Sequence, residues 1–309
     1  MKSRRIRMSI EEYHRRPFRL AWKQEYINGR LVETPRQAVV HATIPVAPRA
    51  APSVAAIRPA TASDERKLLA CFRAAFAETF EYCDYTKKRF AEAARQSLHH
   101  FFHGPFHLPL PASRVAIGPP GTRDAGRPIG AALVLKQDDG WALLDMIFVA
   151  PAWQRRGLAS ALAASALTGL HALGGYRTLV SRFHLGNDTS RAWHHRFGFV
   201  DEPDLRLAQL YLRAAIHELH RLRELGALTP QLKRQLTAER RRWQREVDRL
   251  ESLFKGGQEE AADPWRKWRR KQRDDDKIIF VNPAVKPAPK SETPPTKDRT
   301  APAGKRSGK

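Results

Sequence analysis

Cysteine is scarce in this sequence, with only Cys71 and Cys83 in a chain of 309 residues. Two thiols do not form the disulfide framework of a small secreted domain, and no residues with metal-ligand spacing surround them. Long apolar runs are also absent, because no stretch approaches the roughly 20 residues that a membrane-spanning helix needs. The basic N-terminus lacks the apolar core and cleavage site of a secretory signal. We therefore predict a soluble, cytoplasmic protein that does not contact a membrane.

Acidic residues are outnumbered, with 55 Lys and Arg against 32 Asp and Glu and a formal net charge of +23. Residues 54–212 hold only 19 of the basic residues and 14 of the acidic ones, so the ends of the chain carry most of the excess. An excess of positive charge favours salt-sensitive attraction to nucleic acid or to acidic proteins. The composition thus predicts an ordinary globular middle with basic arms.

The N-terminal region contains a strong hairpin signal. Asn28-Gly29 separates two short β-like runs, and residues 38–44 form a third. The stretch after residue 44 is rich in Pro and Ala and is typical of a semi-extended linker. We predict a basic N-terminus with a small β-hairpin over 1–44 and a linker over 45–53.

The middle of the chain, residues 54–213, alternates strand and helix signals in the order β-α-α-β-β-β-α-β-α-β, with a closing strand over Leu205–Leu212. A helical hairpin follows over 214–257, and its second helix carries one apolar stripe. That stripe must be buried against the first helix, as in a coiled coil, against the middle domain, or against a second subunit in a homodimer. Residues 258–309 are predicted to be a basic, largely disordered tail.

The most informative stretch is the loop from Gln154 to Ala159. It lies between an apolar strand-like run and an Ala- and Leu-rich helix, so several main-chain amides at the helix start lack partners. These amides and the positive end of the helix dipole favour an anion, and Gly157 lets a ligand approach the main chain. Arg155 and Arg156 add positive charge. The loop is a candidate phosphate site, although a basic loop before a helix is often only a loop.

The element order and three motifs resemble the GNAT superfamily of acyl-CoA N-acyltransferases. The motifs are Gln154-x-x-Gly157-x-Ala159, the opening strand and turn from Ile57 to Asp64, and the segment from Asn187 to Gly198-Phe199. The resemblance covers about 54–213. It implies an α/β (α+β) fold: a mixed, mostly antiparallel sheet, flanked by helices, with a splay between its fourth and fifth strands.

The resemblance also implies a cofactor, acetyl-CoA, as the acyl donor. Main-chain atoms of Phe148 and Val149 would bond the pantetheine arm, and Asn187 would reach the arm near the sulfur. The pyrophosphate would lie in the loop described above. The cofactor-binding residues implied in this way are Phe148, Val149, Gln154, Arg155, Arg156, Gly157, Leu158, Ala159 and Asn187.

Two residues are candidates for proton transfer. Asp145 is the only carboxylate in the fourth strand, and by the two-residue period it shares a face with Leu143, Ile147 and Val149. It is interpreted either as the base that deprotonates the amine, directly or through water, or as a residue without that role, namely a partnered structural residue or an anchor for a substrate charge. His194 stands where the family often has a tyrosine, so it is either the acid that protonates the thiolate or a bystander.

A histidine cluster lies on the predicted second helix of the middle domain. His99 and His103 are four residues apart, a spacing that suits a metal, but no acidic residue is close to them in the sequence. Interleaved aromatic residues favour a wall of the acceptor site or plain packing instead. No metal site is predicted.

The sequence therefore predicts an acetyl-CoA-dependent N-acyltransferase. The acyl group would pass to an amine by direct attack in a ternary complex, without a covalent enzyme intermediate. The alternative is a catalytically idle GNAT-fold module that binds nucleic acid or an acidic protein through its basic arms.

Overall fold

The computed structural model describes residues 3–36, 38–83, 85–104, 108–137 and 140–258. The predicted tail lies outside the described residues from residue 259 onward. The strands of the described ranges are β1 (Arg4–Arg7), β2 (Trp22–Ile27), β3 (Arg30–Pro35), β4 (Val39–Pro45), β5 (Ala56–Pro59), β6 (Arg114–Ile117), β7 (Pro128–Lys136), β8 (Trp141–Val149), β9 (Thr178–His184) and β10 (Val200–Asp201). The α-helices are α1 (Ile10–His14), α2 (Glu65–Phe76), α3 (Lys87–His103), α4 (Leu158–Leu173), α5 (Asp188–Phe197), α6 (Leu205–Glu224) and α7 (Pro230–Lys255).

A seven-stranded sheet in the order β10-β4-β9-β8-β7-β6-β5 forms the centre of the molecule. Its neighbouring strands are antiparallel except for β8 and β9, which are parallel. Helices α2 and α3 bury Phe72, Leu98 and Phe101 on one face. The other face packs on α4 and α5. β7 is an interior strand of the sheet, and its residues 129–135 are all buried because helices cover both of its faces. The predicted mixed, mostly antiparallel sheet flanked by helices is confirmed.

Strand β4 lies inside this sheet and not in a separate N-terminal unit. It pairs along its whole length with β9, from Val39 opposite His184 to Pro45 opposite Thr178. Its other edge pairs with β10, and Val40, Ala42 and Ile44 are fully buried. The predicted boundary at residue 44 therefore needs correction, because the preceding strand belongs to the core of the middle domain.

The predicted closing strand over Leu205–Leu212 is wrong, because these residues are the first two turns of α6. The Asp204 carboxylate caps this helix by accepting from the amide of Leu207 at 2.8 Å. Burial at Leu207, Ala208, Tyr211 and Ala215 follows the helical period and not the strand period. The short strand β10 and the N-terminal β4 occupy the edge where that closing strand was expected.

The predicted N-terminal hairpin is present as β2 and β3, which β1 extends to a three-stranded sheet in the order β1-β3-β2. Asn28 and Gly29 both have positive φ, 48° and 73°, as a two-residue hairpin turn requires. The segment between α1 and β2 contacts α6, because the amide of Phe18 donates to the Glu218 carboxylate at 2.9 Å. The N-terminal and C-terminal regions thus support each other.

Helices α6 and α7 form the predicted helical hairpin. Val247 and Leu250 of α7 are buried with Ala208 of α6, and the rings of Tyr211 and Trp243 lie 4.5 Å apart. The sequence left three partners open for the apolar stripe of α7. In the described residues, α6 covers Val247, Leu250 and Trp243 of that stripe. A homodimer stays a prediction. None of the helices in the described ranges is long and apolar enough to cross a membrane.

The interior position of β4 predicts the effect of truncating its side chains. Ile44→Ala should destabilise the protein by about 2–5 kcal/mol, because it empties a fully buried site between β9 and β10. Val39→Ala on the same strand, where the side chain is 48% exposed, should cost under about 0.5 kcal/mol. Urea unfolding measures both changes. Equal small costs would show that β4 is dispensable to the sheet.

Candidate active site

The sheet opens into a fork between its two parallel strands. β8 and β9 are paired only from Trp141 opposite Thr178 to Leu144 opposite Ser181. Beyond that point both strands continue, β8 to Val149 and β9 to His184, but they no longer pair with each other. The predicted splay between the fourth and fifth strands of the middle domain is therefore present, and it leaves a strand edge of β8 open.

An ion pair bridges the base of the fork. Asp145 and Arg182 are the next residues after the last paired ones, and a guanidinium nitrogen of Arg182 lies 3.1 Å from the Asp145 carboxylate. Both side chains are mostly buried. Of the two interpretations of Asp145, the contact favours the partnered structural residue, because its charge is compensated in place.

A bulge at Asp145 changes which faces of β8 the side chains occupy. Leu133 of β7 pairs with Met146 and Val134 pairs with Leu144, so Asp145 is the extra residue. Leu143 packs with α2 and α3, whereas Ile147 and Val149 pack on the α4 side. The prediction that Asp145, Leu143, Ile147 and Val149 share one face is therefore wrong. A strict two-residue period does not survive an inserted residue.

The main chain of Val149 faces the open side of β8. The amide of Ala150 donates to Ile129 on β7 at 2.8 Å, and strand groups alternate, so those of Val149 point toward the fork. The Gln154 side chain donates to the Val149 carbonyl at 3.0 Å. By the same alternation the main chain of Phe148 points toward β7, and its ring is buried against Phe72 at 5.4 Å. The geometry thus favours Val149 over Phe148 as the open-edge residue.

The loop from Gln154 to Ala159 leads from the fork to the start of α4. Arg155 has a φ of 61° and Gly157 a φ of 81°, two left-handed residues in one short turn. A non-glycine residue in this region costs about 1 kcal/mol, and such strain concentrates at functional sites. The amide of Ala161 is the first to bond into the helix, to the Gly157 carbonyl. The amides of Leu158 and Ala159 precede it at the positive end of the helix dipole, where an anion is favoured.

Asn187 lies at the start of α5 and already has two partners. Its side-chain oxygen caps the helix by accepting from the Ser190 amide at 3.0 Å. Its side-chain nitrogen donates to Oε1 of Glu81 at 2.9 Å. The residue predicted to approach the cofactor is therefore held rigidly at the end of β9.

Glu81 is a candidate site residue that sequence reasoning missed. It lies in the 3₁₀ turn Phe80–Tyr82 between α2 and α3, about a hundred residues before Asn187. Its Oε2 atom is buried and has no hydrogen-bond partner within the described part of the chain. The one signal in the sequence is an acidic residue between Phe80 and Tyr82. A buried carboxylate oxygen without a donor is costly unless something else binds it.

Aromatic rings surround this side of the fork. The rings of Phe72, Phe76, Tyr82 and Phe148 contact one another at 4.5–6.3 Å. Burial raises the pKa of Tyr82 to about 12 and that of the Cys71 thiol to about 12. Burial thus disfavours the thiolate form of Cys71, which is the form that acts as a nucleophile. The aromatic wall thus comes from α2 and its following turn, whereas Phe101, near the histidine cluster, is core.

His194 is enclosed on the α4 side of the sheet. Its Nε2 lies 2.8 Å from the Ser181 hydroxyl, and its Nδ1 lies 2.8 Å from the Ser190 carbonyl. The ring stacks on Phe183 at 4.6 Å. Burial lowers the pKa of His194 to about 4, although the Ser190 carbonyl acts in the opposite direction. A neutral, enclosed imidazole is a poor proton donor, so the geometry favours the bystander interpretation.

Comparison with known proteins identifies the domain that holds this fork. Residues 73–199 match the family model described as the acetyltransferase (GNAT) family, which is about two fifths of the chain. The fold of this domain is that of the GNAT superfamily. The match includes the fork, the loop and α5, but not β4, β5, α6 or α7. No curated protein matches the chain.

Solved structures similar to the chain include a GCN5-related N-acetyltransferase from Sphaerobacter thermophilus, with 18% identity and a TM-score of 0.38. A functionally unknown conserved protein from Staphylococcus epidermidis has 16% identity and a TM-score of 0.38. Each alignment covers 53% of this chain, and it spans 48% and 57% of the two structures. The paia N-acetyltransferase from Thermoplasma acidophilum, solved with coenzyme A, has 15% identity over 48% of this chain and 90% of its own, with a TM-score of 0.37.

The enclosed imidazole predicts a pH-dependent stability. His194 is neutral when folded but takes up a proton when unfolded below about pH 6.5, so its contribution is complete above that pH. It should be lost as the pH falls toward 4, by an amount on the order of 3 kcal/mol. His194→Phe should flatten this part of the urea-unfolding profile, whereas His195→Gln at the exposed neighbour should not. Parallel wild-type and His194→Phe profiles would contradict the assignment.

Proposed function

We propose that the domain is an N-acyltransferase that uses acetyl-CoA and transfers the acyl group to an amine by direct attack. The observation that carries the proposal is the continuity of the open edge of Val149 with the loop at the start of α4. Main-chain groups at the open strand edge suit the amides of a pantetheine arm. Those at the start of α4 suit a diphosphate. The GNAT fold of residues 73–199 supports the same chemistry.

The residues of the fork fit this cofactor. The amides of Leu158 and Ala159 lie in the first turn of α4, directly after Gly157, which has no Cβ, and Arg155 lies in the same turn. Gln154 fixes the strand end by its bond to the Val149 carbonyl. Asn187 orients the inner end of the fork. Bound acetyl-CoA would supply an activated acyl group as a thioester.

The acceptor amine has to lose a proton before it attacks, and two carboxylates are candidates for accepting that proton. Asp145, the residue named from the sequence, is engaged by Arg182 across the fork. Glu81 has one oxygen that accepts from Asn187, and its other oxygen, beside the aromatic wall, has no donor among the described residues. We therefore assign Glu81 to binding and deprotonating the amine, and Asp145 to holding the fork open at a fixed width. His194 maintains the packing of α5.

The chain outside the domain bears on the acceptor. Arg240, Arg241, Arg242, Arg245 and Arg249 are exposed on α7. Of these, Arg249 pairs with Glu246. The basic C-terminal tail lies outside the described residues. These charges support an acidic acceptor, or the second candidate function, an idle module that binds nucleic acid or an acidic protein. Binding of acetyl-CoA without turnover on any amine would favour that module.

Cofactor binding can be tested with two variants that differ in charge but hardly in shape. Ala159→Asp places a negative charge in the first turn of α4, where the helix dipole favours it, but where it would repel a diphosphate. Ala159 is half-buried against the core, so the free variant is compared with a neutral variant of the same shape. We expect the rise in melting temperature caused by CoA in the wild type to be abolished.

Ala159→Asn is the matched control, because it has nearly the same shape without the charge. It should retain most of the CoA-induced rise. Equal rises in the Asp and Asn variants would argue against a diphosphate at this loop.

The role of Glu81 can be tested by thiol release from acetyl-CoA across a panel of amines. Glu81→Gln keeps an acceptor for Asn187 but removes the charge. We expect kcat to fall by about 10²–10⁴, with little change in KM for acetyl-CoA.

Glu78→Gln, an exposed carboxylate in the preceding turn, is the control and should retain wild-type rates. Asp145→Asn should instead lower stability, because it leaves Arg182 without its ion pair. Unchanged turnover in Glu81→Gln would refute the assignment, and so would a loss of turnover in Asp145→Asn without a loss of stability. Intact CoA binding in those variants would leave the cofactor proposal standing.

A further inference from the structure

Three potential metal ligands meet on the surface of the α2–α3 pair, away from the fork. His99 and His103 lie on α3, and Glu65 is the first residue of α2. One carboxylate oxygen of Glu65 is 3.2 Å from Nδ1 of His99, and the other is 2.9 Å from Nε2 of His103. The three ligand groups lie within 4.8 Å of one another. The acidic companion that the sequence lacked near these histidines is thus supplied by another helix.

These distances suit a coordination sphere. Ligands about 2.0–2.2 Å from a zinc ion and separated by 90–109° are themselves about 2.9–3.5 Å apart. The two nitrogen–oxygen separations already lie in that range. The two imidazoles face each other with ring centroids 4.9 Å apart and planes 35° from parallel, so small rotations would turn both nitrogens toward one centre.

The cluster is also held in place before any ion arrives. Asp64, directly before Glu65, is fully buried and makes two bonds of 2.6 and 2.7 Å to the Arg58 guanidinium. The start of α2 is therefore fixed, and Glu65 faces the last two turns of α3.

We propose that Glu65, His99 and His103 form a binding site for a divalent transition ion, zinc in the first place. Two imidazoles and one carboxylate select such ions over Mg²⁺ and Ca²⁺, which prefer oxygen ligands. The side chains of His99 and His103 are 69% and 45% exposed, so water completes the coordination sphere. The bound ion clips the N-terminal end of α2 to the C-terminal end of α3. This inference does not depend on acyl transfer.

Cobalt provides the test, because Co²⁺ replaces zinc in such sites and its visible absorption reports ligand type. The probe is CoCl₂, titrated into the full untagged chain after dialysis against EDTA. We expect saturable binding of one equivalent with a dissociation constant in the micromolar range, displacement by Zn²⁺, and a Zn²⁺-dependent rise in melting temperature.

The double variant His99→Gln/His103→Gln should lose the spectrum and the Zn²⁺-dependent rise, and Glu65→Gln should weaken binding at least tenfold. The control is His220→Gln, since His220 and Glu224 form an exposed pair 3.2 Å apart with a single imidazole, and it should bind like the wild type. Circular dichroism checks that the variants fold. No saturable binding, or an unchanged spectrum in the double variant, would overturn the site.

Discussion

Strand β9 has a hydrogen-bonding partner along its whole length on one edge and along only half of its length on the other, and the candidate site depends on this asymmetry. β4 pairs with every residue from Thr178 to His184, whereas β8 pairs only as far as Ser181. β9 can diverge from β8 because its other edge is already satisfied. An unsupported strand would leave its amides without partners, which a buried sheet does not tolerate. The fork is thus stabilised from the side that faces away from it.

Each part of the fork adds a local constraint to this arrangement. The bulge at Asp145 turns the open half of β8, and the Asp145–Arg182 pair sets the width at the base. The left-handed residues Arg155 and Gly157 then bring the chain sharply into α4. Glu81 enters from the opposite layer and is tied to Asn187. Strain, buried charge and an oxygen without a partner in the described residues occur together here, and such features concentrate at functional sites, which supports the proposed role of the fork.

The sequence predicts the local parts of this molecule and misses the long-range ones. Short local motifs predict the loop before α4 and the Asn28-Gly29 hairpin. The sequence alone does not distinguish a strand from a helix over Leu205–Leu212. Its leucines are spaced two and three residues apart, which fits both, and only packing decides between them. β4 was assigned to the wrong unit because the Pro- and Ala-rich stretch after it is typical of a linker. Glu65 and Glu81 could not be found, because their partners are 34 to 106 residues away in the chain.

The position of β4 has a consequence for how the chain acquires its structure. Ala42 pairs with Ser181, so about 140 residues separate two neighbours in the middle of the sheet. At ribosomal rates of roughly 5–20 residues per second, β4 waits on the order of ten seconds for its partner to be made. During that time an apolar strand has no sheet to join. The central part of this fold is therefore completed late in synthesis, and closure of so long a loop makes the step slow compared with the formation of α2 and α3.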